Sequence, residues 1–450
     1  MAREVADGMR ILHYFLGPNR QGGLNRYVRD LAAAQVGLGH QVMLLYPCGG
    51  LFPPASPSIQ CAGRYRGATC YRLVGGLPVP LLEGIRQPEM ILESLRLLTE
   101  EQMCAFISRT RPEVLHIHTW MGFPRELLEV MRARGVRVVF TTHDYFGLCP
   151  KVNLVDDAGC LCTDGSDARC SRCNLGAPGE RFLSLRNSMA LMRLKGVLAP
   201  LLRLRQRLRR TSGAKRGSIQ PCPVRDYASL REYYLEMLRQ CDCIHCNSRV
   251  AHRVYSSFLP NGKFRVLPIT HGGMDWRPAD KEVKASEICL GFSGPEAAFK
   301  GLPMLLEVLA GLESLPWHLE VWGTNRRESV GRVTYCGRYR QAERALGQLD
   351  LLIVPSVCNE TFGFIVAEAL SLGVPVLCSD TVGAQSLVED SMVYHGREGL
   401  ERRLTELLAH PEELQEIRRR LVRGKAPMVS IQQHAEEMVK LYGELNGSVV

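Results

Sequence analysis

Two carboxylates eight positions apart, Glu360 and Glu368, flank a glycine that opens a helix, and this pairing suits a ligand carrying both hydroxyls and phosphates. The apolar run LDLLIVPS (Leu349–Ser356) ahead of them reads as a buried parallel strand. The stretch NETFGFIVAEALSLGVPVLCS (Asn359–Ser379) then predicts a loop and a helix from Phe364 to Leu372. Gly373 closes that helix, and a second short strand covers Pro375–Cys378. Ligands of such βαβ units bind outside the carboxyl ends of the strands. Gly363 permits close backbone approach, and the N–H groups of Phe364 and Ile365 are helix-start donors suited to a phosphate. A nucleoside diphosphate placed there puts Glu360 near its sugar and Glu368 near the ribose hydroxyls.

The pattern P-S-x-x-x-E-x-F-G-x-x-x-x-E-A-x-x-x-G-x-P-V, from Pro355 through Phe362 to Val376, resembles the E-x7-E signature of GT-B glycosyltransferases. Glycosyltransferase family 4 is the most similar. The resemblance implies an α/β fold of two Rossmann-like domains whose parallel sheets face an interdomain cleft. It also implies retaining transfer of a sugar, as in a hexosyltransferase, from a nucleoside diphosphate sugar to a hydroxyl acceptor. Lys300-Gly301 follows the predicted strand ending at Gly291–Gly294 and fits a diphosphate-binding lysine. The family pattern there is G-R-x-x-x-x-K-G. Here Gly294 is followed by Pro295 in place of the arginine, with Arg326 and Arg338 as candidate substitutes. With Lys300 and helix-start amides available, no cofactor is required for the chemistry.

These residues need two sheets to position them. At 450 residues the chain exceeds the size at which single cores stop growing. The boundaries read as 1–270 for an N-terminal acceptor-side domain and 280–428 for a C-terminal donor domain. By the resemblance, a last helix over 430–450 packs back onto the first. Arg10–Phe15 predicts the first strand, and Gly22 and Gly23 a ligand-side loop before a helix. Gly49–Pro80 reads as loop with short strands, Leu92–Arg111 as one amphipathic helix, and Glu398–Arg423 and Ile431–Leu445 as terminal helices. His118 and His143 fall at the ends of the predicted strands Glu113–Thr119 and Arg137–Asp144, at the rim where a cleft would open. A histidine on a strand is more often structural than catalytic. The resemblance places His118 by the reacting sugar and His143 with Asp144 in the acceptor cleft, and His116 reads as supporting the fold.

An insert over 147–176 is rich in cysteine. Cys170 and Cys173 form a C-x-x-C knuckle, and Cys149 with Cys160 or Cys162 completes a four-thiolate set suited to structural zinc. By the resemblance Cys162 is the fourth ligand and Cys160 is extra. The competing reading is a loop of reduced thiols or a redox knuckle. Cys241, Cys243 and Cys246 read as core residues.

The net charge of +10 is concentrated: eleven Lys/Arg and no acid lie between Arg181 and Arg216, leaving the rest near −1. Within a basic helical segment spanning 180–226, leucines alternate with arginines in a pattern suited to peripheral contact with anionic membrane. It fits equally a solvated helix face, and no recognition motif points to nucleic acid. The N-terminus lacks a signal-like apolar stretch and no run of 18 apolar residues occurs. Both features predict a cytoplasmic protein, at the inner face of the membrane if the basic segment docks there. The resemblance points to a glycan or lipid-linked acceptor, a lipid-linked oligosaccharide or cell-surface polysaccharide precursor. A nucleotide-sugar epimerase or phosphorylase on the same fold, and an inactive zinc-stabilised membrane-surface scaffold, are the alternatives.

Overall fold

The computed structural model describes residues 8–49, 57–94, 98–163, 165–186, 223–278, 281–424 and 428–445. Most of the basic run, 187–222, lies outside the described residues, and so does the membrane expectation that rests on it. Among the described residues no helix is long and apolar enough to cross a membrane. The chain divides into two compact units, Met1–Asp157 with Cys162–Ile244 and Leu441–Val450, and Ala158–Leu161 with His245–Lys440.

The first sheet is built from β1 (Arg10–Tyr14), β2 (Gln41–Cys48), β3 (Ser58–Tyr65), β4 (Ala68–Val74), β5 (Val114–Ile117), β6 (Arg137–Thr141), β7 (Cys243–Cys246) and β8 (Phe264–Val266). Its order is β3-β4-β2-β1-β5-β6-β7-β8. β1 pairs in parallel with both β2 and β5, so the strand order reverses beside it and the loops after β1 and β5 emerge at one switch point. Near-continuous apolar runs such as Ile11 and Leu12, Leu44 and Leu45, and Val138 and Val139 are fully buried, as strands covered on both faces require. The helix Gly23–Gly37 starts at Gly22, whose φ of 113° only glycine adopts readily. A Cβ at Gly22 would meet nothing within 4 Å, so the backbone angle rather than crowding calls for glycine.

The second sheet contains β9 (Ile288–Ser293), β10 (Trp317–Trp322), β11 (Arg327–Val330), β12 (Val333–Gly337), β13 (Leu351–Val354), β14 (Val376–Ser379) and β15 (Val393–Tyr394), ordered β11-β12-β10-β9-β13-β14-β15. Here β9 takes the switch position, paired in parallel with β10 on one side and β13 on the other. Ile288, Leu290, Leu319, Val321, Leu351, Ile353 and Leu377 fill its core with no exposure.

Three local readings needed correction. Gly49–Pro80 contains the antiparallel hairpin β3–β4, with a register shift between Cys61 and Arg64 and a turn at Arg66 and Gly67 with φ of 46° and 86°, the left-handed pair that a tight hairpin turn requires. The segment read as one helix from Leu92 is a single turn, Glu89–Leu92, and a separate helix Glu100–Thr110 begun by a capping box at Thr99. Glu398–Arg423 is two helices, Gly396–Ala409 and Pro411–Gly424, because Pro411 has no N–H to continue the first.

The loops after β9 and β13 are locked together. Val357 N donates to Phe299 O at 2.9 Å, and a Cβ at Gly301 would fall 1.6 Å from the Pro355 carbonyl oxygen. Gly301 also has φ +78°, so both space and backbone exclude a side chain. Gly301→Ala should lower stability by more than about 1 kcal/mol in urea unfolding. Gly37→Ala, at an exposed helix end with nothing within 4 Å, should be neutral or raise it by up to about 1 kcal/mol. Equal midpoints for the two variants would contradict this packing.

Candidate active site

In the second sheet, β9 leads through Gly294 into a tight turn, Ala298–Lys300, that delivers Lys300 to the strand-end rim. β13 leads through Ser356 to Glu360. The two side chains meet: Lys300 Nζ lies 2.9 Å from Glu360 Oε1, with the side chains 27% and 12% exposed. Ser356 Oγ also donates to Glu360 Oε1. Burial draws the Lys300 ammonium down, but Glu360 and Cys358 beside it outweigh that and hold its pKa above the ordinary lysine value. The cation is therefore charged and aimed before any ligand arrives.

The Glu360 backbone is clamped as well. Its N–H donates to Thr381 O at 2.9 Å, and its carbonyl accepts from Gly383 N at 3.1 Å. Ala384 N donates to Phe362 O at 2.7 Å. The loop after β14 thus holds Glu360, Thr361 and Phe362 as an added strand segment. Gly363, with φ +91°, turns the chain into the helix Phe364–Ser371, and a Cβ there would approach Glu360 Oε2 to 3.4 Å. The helix start therefore stands beside the Glu360 carboxylate, where its amides and dipole favour an anion.

Glu368 lies on that helix and is 12% exposed. His271 Nε2 stands 3.1 Å from its Oε1, while His271 Nδ1 accepts from Gly273 N at 3.1 Å. With Nδ1 as acceptor, the neutral ring carries its proton on Nε2 and donates to Glu368. Arg326 is engaged by Glu296 and Glu328 and stacks 3.7 Å over Tyr335, and Arg338 is exposed.

In the first sheet, β1, β5 and β6 bring four histidines together. His13 Nδ1 lies 3.0 Å from His118 Nε2, and His118 Nδ1 lies 3.2 Å from His143 Nε2. His13 Nε2 meets Gln35 Oε1 at 2.7 Å. His116, with its ring 4.0 Å from that of His118, bonds Tyr442 OH and Thr141 Oγ1, each at 2.6 Å. His118 is fully buried and His143 only partly. Burial lowers His13 to about 4, opposed by its bond to Gln35, so it is neutral at pH 7. Asp144 accepts from Phe146 N at 3.0 Å and from Thr119 Oγ1 at 3.4 Å. Burial raises its pKa from 3.8 to about 6, against those two bonds.

Residues 21–269 match the family Glycosyltransferase Family 4, more than half of the chain. The chain belongs to glycosyltransferase family 4. Residues 288–423 of this glycosyltransferase match Glycosyl transferases group 1. Sucrose-phosphate synthase from Thermosynechococcus elongatus is similar in structure, at 16% identity and TM-score 0.57, covering 98% of this chain and 100% of that one. Anabaena HepE, solved with UDP and glucose, is similar at 10% identity and TM-score 0.55 over 97% and 99%. The catalytic domain of starch synthase IV from Arabidopsis thaliana, bound to ADP and acarbose, is similar at 12% identity and TM-score 0.56 over 97% and 99%. The likeness at these identities is one of fold, and that fold is GT-B. No curated protein matches the sequence.

Reading the family 4 sequence alone missed His271, Ser356, Gln35 and His13. Ser356 stands inside the motif, four residues before Glu360, and that spacing was the available signal. Gln35 and His13 left none; His271 lies in ITHGGMDW, which resembles a linker element of the family, but its partner Glu368 is 97 positions on. In the cysteine insert, the chain bends around Cys149 through positive φ at Val152 (62°) and Leu154 (51°). Among the described residues, two groups bring three metal-binding atoms within 4.8 Å of one another, His13 with His116 and His118, and Cys289 with His318 and Glu320. The four cysteines are not such a group.

A carboxyl whose folded pKa is raised favours folding fully below 3.8 and loses that contribution as pH rises through about 6. Asp144→Asn should therefore gain stability relative to the native chain between pH 4 and 7.5 in urea unfolding. A pH-independent difference would contradict the burial of this group.

Proposed function

We propose that this glycosyltransferase is a retaining enzyme that takes a sugar from a nucleoside diphosphate sugar and transfers it to a hydroxyl of a glycan or lipid-linked acceptor. The observation that carries the reading is the Lys300–Glu360 pair, 2.9 Å apart on adjacent strand-end loops beside the Gly363 helix start. Structural relatives solved with UDP or ADP support a nucleotide donor. In this reading Lys300 and the amides of Phe364 and Ile365 take the diphosphate, with Gly294 giving it backbone room. Glu360 orients the transferred sugar and Glu368, steadied by His271, the ribose. Gly22 and Gly23 line the phosphate side of the first sheet.

Transfer on one face balances without an outside base. The bond from the sugar's anomeric carbon to the diphosphate oxygen breaks, and the bond to the acceptor oxygen forms on the same side. The acceptor proton moves to the departing phosphate oxygen. Lys300 offsets the charge that develops there. His118, His143 and Asp144 serve the acceptor side. The lipid-linked oligosaccharide or polysaccharide-precursor acceptor, and contact with the inner membrane face, rest on the family resemblance and the basic run.

A panel of UDP, GDP, ADP and TDP sugars in thermal shift should give stabilisation by one base and sugar above the rest. Silence across all four nucleotides would overturn the donor assignment. With the selected donor, Glu360→Gln should lower kcat/KM about a hundredfold, roughly 2.7 kcal/mol of transition-state stabilisation. Unchanged turnover would favour another role for the pair.

The insert is proposed separately as a structural zinc site of Cys149, Cys162, Cys170 and Cys173. Cys149 is half-buried; burial pushes its thiol up, and backbone N–H groups of Lys151, Leu154 and Asn153 turned to the sulfur oppose that shift. Cys162 and Cys170 lie within its electrostatic reach, and Cys170 also within that of Cys173, whereas Cys160 is exposed. Zinc would draw the four sulfurs closer than they stand here. Metal analysis of purified protein should find one zinc per chain, lost in Cys170→Ser. Less than half an equivalent in the native chain would overturn the site.

A further inference from the structure

We propose that Cys289, His318, Glu320 and Cys336 form a zinc-binding site on the second sheet, on the face opposite the core cluster of Ile288, Leu290, Leu319 and Val321. It lies toward the opening ends of β9 and β10, whereas Lys300 follows the carboxyl end of β9. β10 reads WHLEVW, and strand alternation sends Trp317, Leu319 and Val321 into the core and His318 and Glu320 to the other face. In the parallel register with β9, His318 stands opposite Cys289. β12 flanks β10 on the other side, where Glu320 pairs with Thr334 and the register slips after Val321. Cys336 falls in that slip.

One ligand atom from each of Cys289, His318 and Glu320 lies within 4.8 Å of the other two. Zinc bonds of about 2.0–2.3 Å set such atoms roughly 3.3–3.8 Å apart, so side-chain movement of about 1 Å completes the contact. His318 supplies an independent observation. Among the described residues its Nδ1 makes no hydrogen bond, and it is shut off from solvent. Glu287 Oε2 stands 3.6 Å away, beyond hydrogen-bond distance. A buried polar atom in that state is costly unless a water or an ion completes it. Glu320 Oε2 accepts from Trp322 Nε1 at 2.9 Å, which orients the carboxylate and leaves Oε1 for a metal.

The same carboxylate faces both sulfurs. Burial, then the Glu320 charge, pushes the Cys289 thiol up to about 12 and the Cys336 thiol up to about 11. Lys281 and Arg327 oppose these shifts, and Lys281 is itself held 2.8 Å from Asp350. Two sulfurs, an imidazole nitrogen and a carboxylate oxygen suit zinc and not the all-oxygen preference of magnesium or calcium. On binding, each thiol gives its proton to solvent, and the cation meets two thiolates and a carboxylate. The His318 side chain is 31% exposed and Glu320 and Cys336 are half-buried, so the metal exchanges with solvent. The site therefore fills from added zinc, apart from the metal retained by the insert. Bound zinc would join β9, β10 and β12 through their side chains.

The test is calorimetric titration of zinc chloride into full-length protein dialysed without chelator. The native chain should take up one zinc beyond what it retains. His318→Gln, at a partly exposed position, and Cys289→Ser should each weaken that uptake at least about tenfold. Cys170→Ser, in the insert, should leave it intact. Cobalt(II) in place of zinc should give thiolate charge-transfer absorption that Cys336→Ser reduces. Added zinc should raise the melting temperature of the native chain and not that of His318→Gln. No uptake beyond the retained metal would overturn the site. Uptake unchanged in a His318→Gln chain that melts like the native one would overturn it too, assigning the zinc to other thiols or to His13, His116 and His118. Loss of the uptake in Cys170→Ser would assign it to the insert, with the same consequence.

Discussion

The Pro355 carbonyl oxygen sits where a side chain at position 301 would begin, and that approach ties the loops after β9 and β13 into one unit. Lys300 immediately precedes the contact and Ser356 immediately follows it. The lysine and Glu360 are therefore fixed relative to each other by backbone, before their own attraction adds anything. The pairing matters because an unpaired buried ammonium tends to lose its proton. Glu360 keeps Lys300 charged at little cost and can share it with a diphosphate. The same carboxylate remains beside a helix start, so attraction for phosphate and for sugar hydroxyls arises from one small piece of chain.

The histidine chain in the first sheet follows a different rule. Four imidazoles, an amide, a phenol and a threonine hydroxyl occupy a buried region where every polar atom without a partner is costly. Bonding to one another meets that need and ties β1, β5 and β6 together through their side chains. Tyr442, near the end of the chain, closes this network from 326 positions away in sequence from His116.

The strand, loop, helix and strand around Glu360 were legible because local signals agree there: an apolar run, a glycine at the turn, a second glycine after the helix. Lys300 was legible by its place after β9. What stayed hidden depended on partners far along the chain. Nothing near Glu368 announces His271, 97 positions earlier, and nothing near His13 announces Gln35 as its partner. The need for glycine at 301 is likewise invisible without Pro355. Local errors had local causes. The β3–β4 hairpin hid behind glycines that serve its turn and its irregular pairing, and Pro411 divided a helix whose periodicity runs across it. The edge strand β11, RESV, is fully exposed and carries no apolar pattern by which to find it.

The claim that Lys300 is held ready for a diphosphate is tested most directly by calorimetric titration of UDP, ADP and GDP into the native chain and Lys300→Gln. The diphosphate that binds the native chain should bind the variant at least about tenfold more weakly, roughly 1.4 kcal/mol, while the corresponding nucleoside binds both alike. Equal affinity of the two proteins for the diphosphate would contradict the account.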